Sequence, residues 1–438
     1  MKVRAGGKTV ELTLEQYVAA VVSGESSVFE SKEALQAMAI AARTYAVRFR
    51  GRHAAEGYDF CETTHCQRIE MSGPSTRVQE AVADTEGELL WFQGKPAFTP
   101  YSRDCGGRTE AAAALWPELA APYLVSQPDV YCVRAGGSAW QWRADPVALA
   151  GALRGSGLQS PHTIERVTVV DRTPSGRART LMLTGAGESV RISAGPFRLA
   201  VGRALGWNTI RSDRYDVSLV EFQGRGSGHG VGLCQRGAEE MGREGRSHRD
   251  ILAYYYPGTS VGLTAAGLAW QRLSGERLAL WTVQPSQDKV VLTSAQRLLA
   301  GLERQTGWSA PAGIEIRIYP DLDTYRNATG EPGTIAGYTQ GHRISLQPVQ
   351  MLQSRKAFES TLAHELAHVL IGSQTRSELP LWFQEGLANY LAGLSTVKTP
   401  VGALVQRYGE TTVLGWVKRG LPAEVTNASA SHPAIKSR

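Results

Sequence analysis

The chain has 438 residues, 42% hydrophobic and 20% charged, and 47 Lys and Arg against 41 Asp and Glu leave a formal net charge of +6. Such a length and apolar fraction predict about three folded domains, or two large ones, and exclude disorder on a large scale. No apolar run approaches the roughly 20 residues of a membrane span, and the basic residues are dispersed, so neither a membrane helix nor a nucleic-acid partner is expected. The positive balance suits anionic surroundings such as a cell-wall polymer.

The first seven residues lack the apolar core of an export signal, so the chain is expected either to be cytoplasmic or to begin after its signal. Leu14, Tyr17, Val18, Val21 and Val22 recur at helical spacing and predict a helix that Ser23-Gly24-Glu25 interrupts. Ser31 suits an N-cap, and Ala34, Leu35, Met38, Ala41, Ala42, Tyr45 and Phe49 predict a second helix. Glu25 therefore lies at a helix-to-helix junction, where a side chain can project into a cleft, although such a glutamate is usually a cap or a surface residue.

Six words in the first 260 residues stand in a telling order: LEQYV (14–18), EALQAMAIAARTYA (33–46), YDFCETTHCQ (58–67), YSRDCGGRTE (101–110), PDVYC (128–132) and GHGVGLCQRG (228–237). Together they resemble the SpoIID/LytB family of bacterial cell-wall proteins. Members of that family are lytic transglycosylases acting on peptidoglycan glycan strands, or proteins that enhance wall amidases. The resemblance implies an extracytoplasmic wall enzyme with Glu25 as its catalytic acid, although the family usually continues that Glu with Met-Pro where this chain has Ser26-Ser27. It implies His229 and Gln235 as glycan-binding residues, Tyr101 beside them, and Arg43 as a groove or structural residue. Ordinary glycosidases need two carboxyls. A lytic transglycosylase uses one twice, protonating the glycosidic oxygen and then taking the proton of the sugar's 6-hydroxyl, which leaves a 1,6-anhydromuramoyl end. Such an acid must be protonated near neutral pH, so a raised pKa is expected of Glu25. The alternative is a non-catalytic wall-binding module that enhances an amidase and targets the C-terminal part of the chain.

The glycines of 228–232 do not form a nucleotide loop, since position 233 is Leu where G-x-G-x-x-G requires Gly; they suit close approach of backbone to a sugar or another loop. Of the five cysteines, Cys61 and Cys66 flank His65, offering three soft ligands for a second zinc ion. Disulfides joining Cys61 to Cys66, or Cys105 to Cys132, are the competing expectation in an exported protein.

Pro257-Gly258, Gly262 and Ala265-Ala266-Gly267 punctuate the passage to the second half, which places one domain at 1–262, a linker at 263–275 and another domain at 276–422. The small, polar 423–438 is expected to be a flexible tail. Ile314 to Tyr319 and Arg343 to Leu346 alternate like strands. Ser360 to Ile371 has helical spacing and contains H-E-x-x-H, in which His364 and His368 share a helical face and can reach one cation with Glu365 beside them. Pro380 and Gly393 bracket another helix, on which Glu385 sits among apolar residues and calls for a partner such as a cation.

His364-Glu365-x-x-His368 followed by Trp382-x-x-Glu385-Gly386-x-Ala388 resembles the gluzincin metallopeptidases. That resemblance implies zinc held by His364, His368 and Glu385, Glu365 as general base, and a peptide or protein substrate. Tyr390 could assist an oxyanion but more simply packs at a helix end. The whole chain is thus expected to be α+β and multidomain, a SpoIID-like mixed α/β domain preceding a gluzincin-like one with a small sheet and an active-site helix.

Overall fold

Thr13 and Gln16 cap each other's backbone amides and so start the helix Leu14–Glu25 in the computed structural model, which describes residues 1–376, 378–396 and 398–429. Every residue of the predicted stripe, Leu14, Tyr17, Val18, Val21 and Val22, is buried. Ser31 caps the second helix, Lys32–Arg48, in which each residue from Ala34 to Ala46 is buried. A helix apolar on all sides must be enclosed on all sides. Around this axis pack Leu14–Glu25, Thr76–Asp84, Gln235–Arg243 and His248–Tyr255, so segments distant in sequence share one core.

The chain divides into two units, Met1–Gly267 and Leu268–Arg438. Within the first unit, a second core lies between Cys132 and the glycine-rich word. There two three-stranded sheets, Glu188–Ser193/Ala178–Gly185/Arg166–Arg172 and Tyr215–Ser218/Glu221–Arg225/Ala139–Arg143, are all antiparallel. They enclose Phe197, Leu181, Tyr215 and Phe222 together with the helices Pro146–Gly155 and Ala194–Leu205. Val231, Leu233 and Cys234 then return the chain to the first core.

The second unit carries a five-stranded sheet in the order Gln271–Ser274, Leu278–Thr282, Ile314–Ile318, Arg343–Leu346, Gly337–Gln340. Its three central strands are parallel and both edges antiparallel. Ile314, Ile316 and Ile318 enter the core, as their alternation predicts. Helices Pro285–Thr306 and Phe358–Gln374 pack together, and Phe358–Gln374 also lies against the edge strand Gly337–Gln340. The helix Leu381–Leu391 begins after Pro380 and packs on Phe358–Gln374.

Two boundaries differ from expectation. Gln271–Ser274, inside the expected linker 263–275, is a strand paired with Leu278–Thr282. Four residues are too few for a period of two to show, and the partner strand defines it. Ala423–Ser429, inside the expected tail, is a helix whose Val425 is only 5% exposed. Burying one such side chain is worth roughly 1.5–3 kcal/mol, enough to hold one helical turn against a core. Positions 430–438 lie outside the described residues. Among the described residues no helix is long and apolar enough to cross a membrane.

Candidate functional site

Glu25 ends the first helix, and the single turn Ser26–Val28 follows it, with Ser26 Oγ donating to the Ser23 carbonyl at 2.9 Å. The Ser26-Ser27 departure is thus accommodated as a tight turn that closes the helix at Glu25. Gln235, which begins the helix Gln235–Arg243 and is buried, donates from Nε2 to Glu25 Oε2 at 2.9 Å. Burial pushes the Glu25 carboxyl above its usual range, and neither the Gln235 bond nor the charges of Arg68 and Arg103 restores it. The two charged groups acting on it are therefore both cationic. A carboxyl held toward protonation is what a proton donor requires.

Tyr101 joins this group, its hydroxyl accepting from Gln67 Nε2 at 3.2 Å, while burial and the nearby Glu25 hold the phenol protonated. His229 adjoins the Tyr101 backbone, which hydrogen-bonds its ring; its Nδ1 accepts from the Val231 amide at 3.0 Å and its ring meets Trp116 edge-on at 5.0 Å. Burial, aided by Arg198 and Arg177, pushes His229 down to about 3, so the imidazole is neutral.

Arg43 does not line the groove. Its side chain is fully buried, paired with Glu15 at 2.6 Å and donating to the carbonyls of Val82 and Glu88 at 3.1 and 3.3 Å. It is a structural tie between three segments. The glycine-rich word likewise serves another loop: Gly232 has φ +69°, and a Cβ there would stand 2.1 Å from the Pro100 carbonyl oxygen.

Cys61, His65 and Cys66 converge with a fourth group, His53, that the sequence motif does not contain. Cys66 Sγ lies 3.3 Å from His53 Nε2 and 3.7 Å from His65 Nδ1, and Cys61 Sγ lies 3.8 Å from His65 Nδ1. Edges of a tetrahedral zinc site with mixed sulfur and nitrogen ligands are about 3.6 Å, so these donors fit one ion and fill its coordination. Glu56 holds His53 Nδ1 at 2.6 Å, the carboxylate support usual behind a ligating histidine. Burial opposes a Cys61 thiolate, but hydrogen bonds from Thr63, His65 and Cys66 bring the thiol down to about 6; burial pushes Cys66 up to about 11. All five cysteines are unbonded thiols here. A wider motif, His-x7-Cys-x3-His-Cys, would have revealed His53 in the sequence.

In the second unit, His364 and His368 bring their Nε2 atoms to 3.0 Å of each other, and each lies 3.5 Å from a Glu385 oxygen. Two nitrogens and an oxygen bound to one zinc stand about 3.4 Å apart, so this set also fits. The two histidines hold the Glu385 carboxyl well below its usual range; for His364, burial opposes the charge but Glu385 and Glu365 outweigh it. Gly386 lets the Glu385 helix close on Val401, since a Cβ would meet its Cγ2 at 2.5 Å. Glu365 is buried and accepts a 2.5 Å hydrogen bond from Thr339 of the edge strand. Burial raises its carboxyl, as a general base working near neutral pH needs. Thr339 carries no sequence signal, since only the strand's position beside the helix gives it this part. Tyr390 packs against the core, and its phenol is raised by burial and by Glu410.

The stage II sporulation protein family, SpoIID, matches residues 5–92. The chain is 30% identical over 259 residues to an uncharacterized protein of Brachyspira hyodysenteriae, covering 57% of this chain and 67% of that relative. It is 28% identical over 282 residues to stage II sporulation protein D of Bacillus subtilis, covering 59% of this chain and 77% of the relative. To the amidase enhancer of Bacillus subtilis it is 26% identical over 285 residues, 55% of this chain and 39% of that protein.

Proposed function

Because the chain belongs to the SpoIID family, we propose that its first unit is an extracytoplasmic, cell-wall glycan-cleaving domain in which Glu25 serves as acid and then as base. The observation that carries this reading is the half-buried Glu25 carboxyl, raised toward protonation and bonded by Gln235 from 210 positions away. Arg68 and Arg103 are the charged groups felt there, which favours a one-carboxyl route over the paired carboxyls of ordinary glycosidases. Protonated Glu25 donates to the glycosidic oxygen. Its carboxylate then takes the proton of the sugar's 6-hydroxyl as that oxygen closes on C1, while Gln235 keeps the carboxylate in position.

Purified protein and denuded glycan strands provide the test. Anhydromuramoyl products that disappear with Glu25→Gln support the enzyme. Their absence, together with stimulation of a wall amidase, supports the second reading, a wall-binding enhancer, which the similarity to the amidase enhancer favours.

For the second unit the proposal is a zinc-dependent peptidase, resting on the convergence of His364, His368 and Glu385. When bound there, zinc supplies Lewis acidity and lowers the pKa of water to about 7. Glu365, held by Thr339, takes the proton of the attacking water. His364→Ala is expected to lose zinc at this site, and Glu365→Gln to keep it while losing peptide hydrolysis. Retained hydrolysis in Glu365→Gln would refute the assignment.

A further inference from the structure

Cys105, Asp129, Cys132 and Cys234 come from three separate segments, yet their ligand atoms all lie within 4.8 Å of one another. None of the four has any measurable exposure. Cys105 Sγ stands 3.1 Å from Asp129 Oδ2, and the Cys105 amide donates to Cys234 Sγ at 3.2 Å. Asp129 is doubly oriented: Oδ1 accepts from the Cys132 amide and Oδ2 from the Tyr255 hydroxyl, both at 2.9 Å. Gly237 makes room for that arrangement, since a Cβ there would fall 2.1 Å from the Tyr255 oxygen and 2.8 Å from Asp129 Oδ2.

We propose that these four residues form a closed structural zinc site, distinct from the two described above. Three thiolates and a carboxylate are the donor number of a tetrahedral site with no open position, and soft sulfur ligands select zinc over calcium or magnesium. A disulfide accounts for less. It would join two of the sulfurs and leave the third, with the Asp129 carboxylate, buried beside it. Four anionic donors around one dication leave negative charge that the surroundings answer. Asp104 lies 3.1 Å from Cys132 Sγ and adds a further carboxylate beside the set, which Arg236 offsets with its Nε at 3.3 Å. The buried Arg177 guanidinium donates to the Cys105 carbonyl at 2.7 Å. An amide hydrogen bond to a ligand sulfur and a hydroxyl bonded to a ligand carboxylate are the outer contacts that orient ligands in metal sites.

The ion would fasten the segment 101–110 and the helix Val130–Arg134 to the start of the helix Gln235–Arg243. Cys234 is followed at once by Gln235, the residue bonded to Glu25. The ion would therefore anchor the chain one residue before the group that positions Glu25. This consequence rests on the function proposed for the first unit; the zinc site itself does not.

The experiment uses the full chain. With His364→Ala, His368→Ala, Cys61→Ser and Cys66→Ser removing the other two candidate sites, elemental analysis of dialysed protein is expected to find one zinc per chain. X-ray absorption at that zinc should show three sulfurs and one oxygen. Adding Cys105→Ser and Cys132→Ser should abolish it. Zinc absent from the fourfold variant, or a shell with fewer than three sulfurs, would overturn the proposal. The unsubstituted chain provides a measurement independent of variant folding: denatured and alkylated without reductant, it should yield Cys105, Cys132 and Cys234 peptides all alkylated as free thiols. A disulfide between any two of them refutes the site. Neither readout depends on glycan cleavage, so loss of the Glu25 reading and loss of the zinc reading are separable.

Discussion

Glu25 shows what a buried carboxyl costs the fold. Burial raises its carboxyl above the unfolded value of about 4.3, so its contribution to folding is fully present below that pH and is lost as pH rises through the folded value. Glu25→Gln should therefore raise Tm at pH 8 relative to the wild type and change it little at pH 4, while ending anhydromuramoyl formation. An equal Tm change at both pH values would show that the carboxyl is not raised. Glycan cleavage itself should fall as pH rises through the same folded pKa. Arg43 makes the opposite case. Arg43→Met leaves Glu15 uncompensated and should cost about 3–5 kcal/mol in denaturant unfolding. A variant of normal stability that had lost glycan affinity would instead return Arg43 to the groove. Motif matching identifies both residue types but cannot say which way a helical side chain faces, because that depends on what packs against the helix.

At the scale of elements, the two N-terminal helices, the strands Ile314–Ile318 and Arg343–Leu346, and the H-E-x-x-H helix follow from periodicity and caps. Elements whose pattern is short do not. Gln271–Ser274 exists because Leu278–Thr282 pairs with it, and Ala423–Ser429 because the core accepts Val425. The glycine-rich word is intermediate: its glycines are legible as permitting close approach, but only the fold shows that Pro100 is what approaches. Gly232→Ala combines a left-handed backbone with that collision and should destabilise the first unit by about 2 kcal/mol or more. Thermal unfolding checks it, and a Tm within a degree of the wild type would mean that the loop moves freely away from Pro100.

At the scale of the whole molecule, Glu25 and Glu365 lie in different units, and the means proposed for them differ, unaided proton transfer for one and metal-assisted attack by water for the other. His364→Ala should abolish peptide hydrolysis and leave glycan cleavage within about twofold, and Glu25→Gln should do the converse, as independent sites do. Loss of both activities in either variant would show that the two chemistries are coupled. The sequence alone determined the order of the parts, the helix types, the H-E-x-x-H and Glu385 donors, and Glu25 at its junction, because each is written in residues a few positions apart. Tertiary structure alone decided that Gln235 meets Glu25, that His53 joins Cys61, His65 and Cys66, that Thr339 holds Glu365, and that Arg43 is a tie within the core. It alone also gathered Cys105, Asp129, Cys132 and Cys234. Apart from Asp129 with Cys132, and Cys61, His65 and Cys66 among themselves, those contacts join residues between 8 and 210 positions apart, and at such separations nothing in local spacing encodes proximity; the packing of helices and sheets creates it.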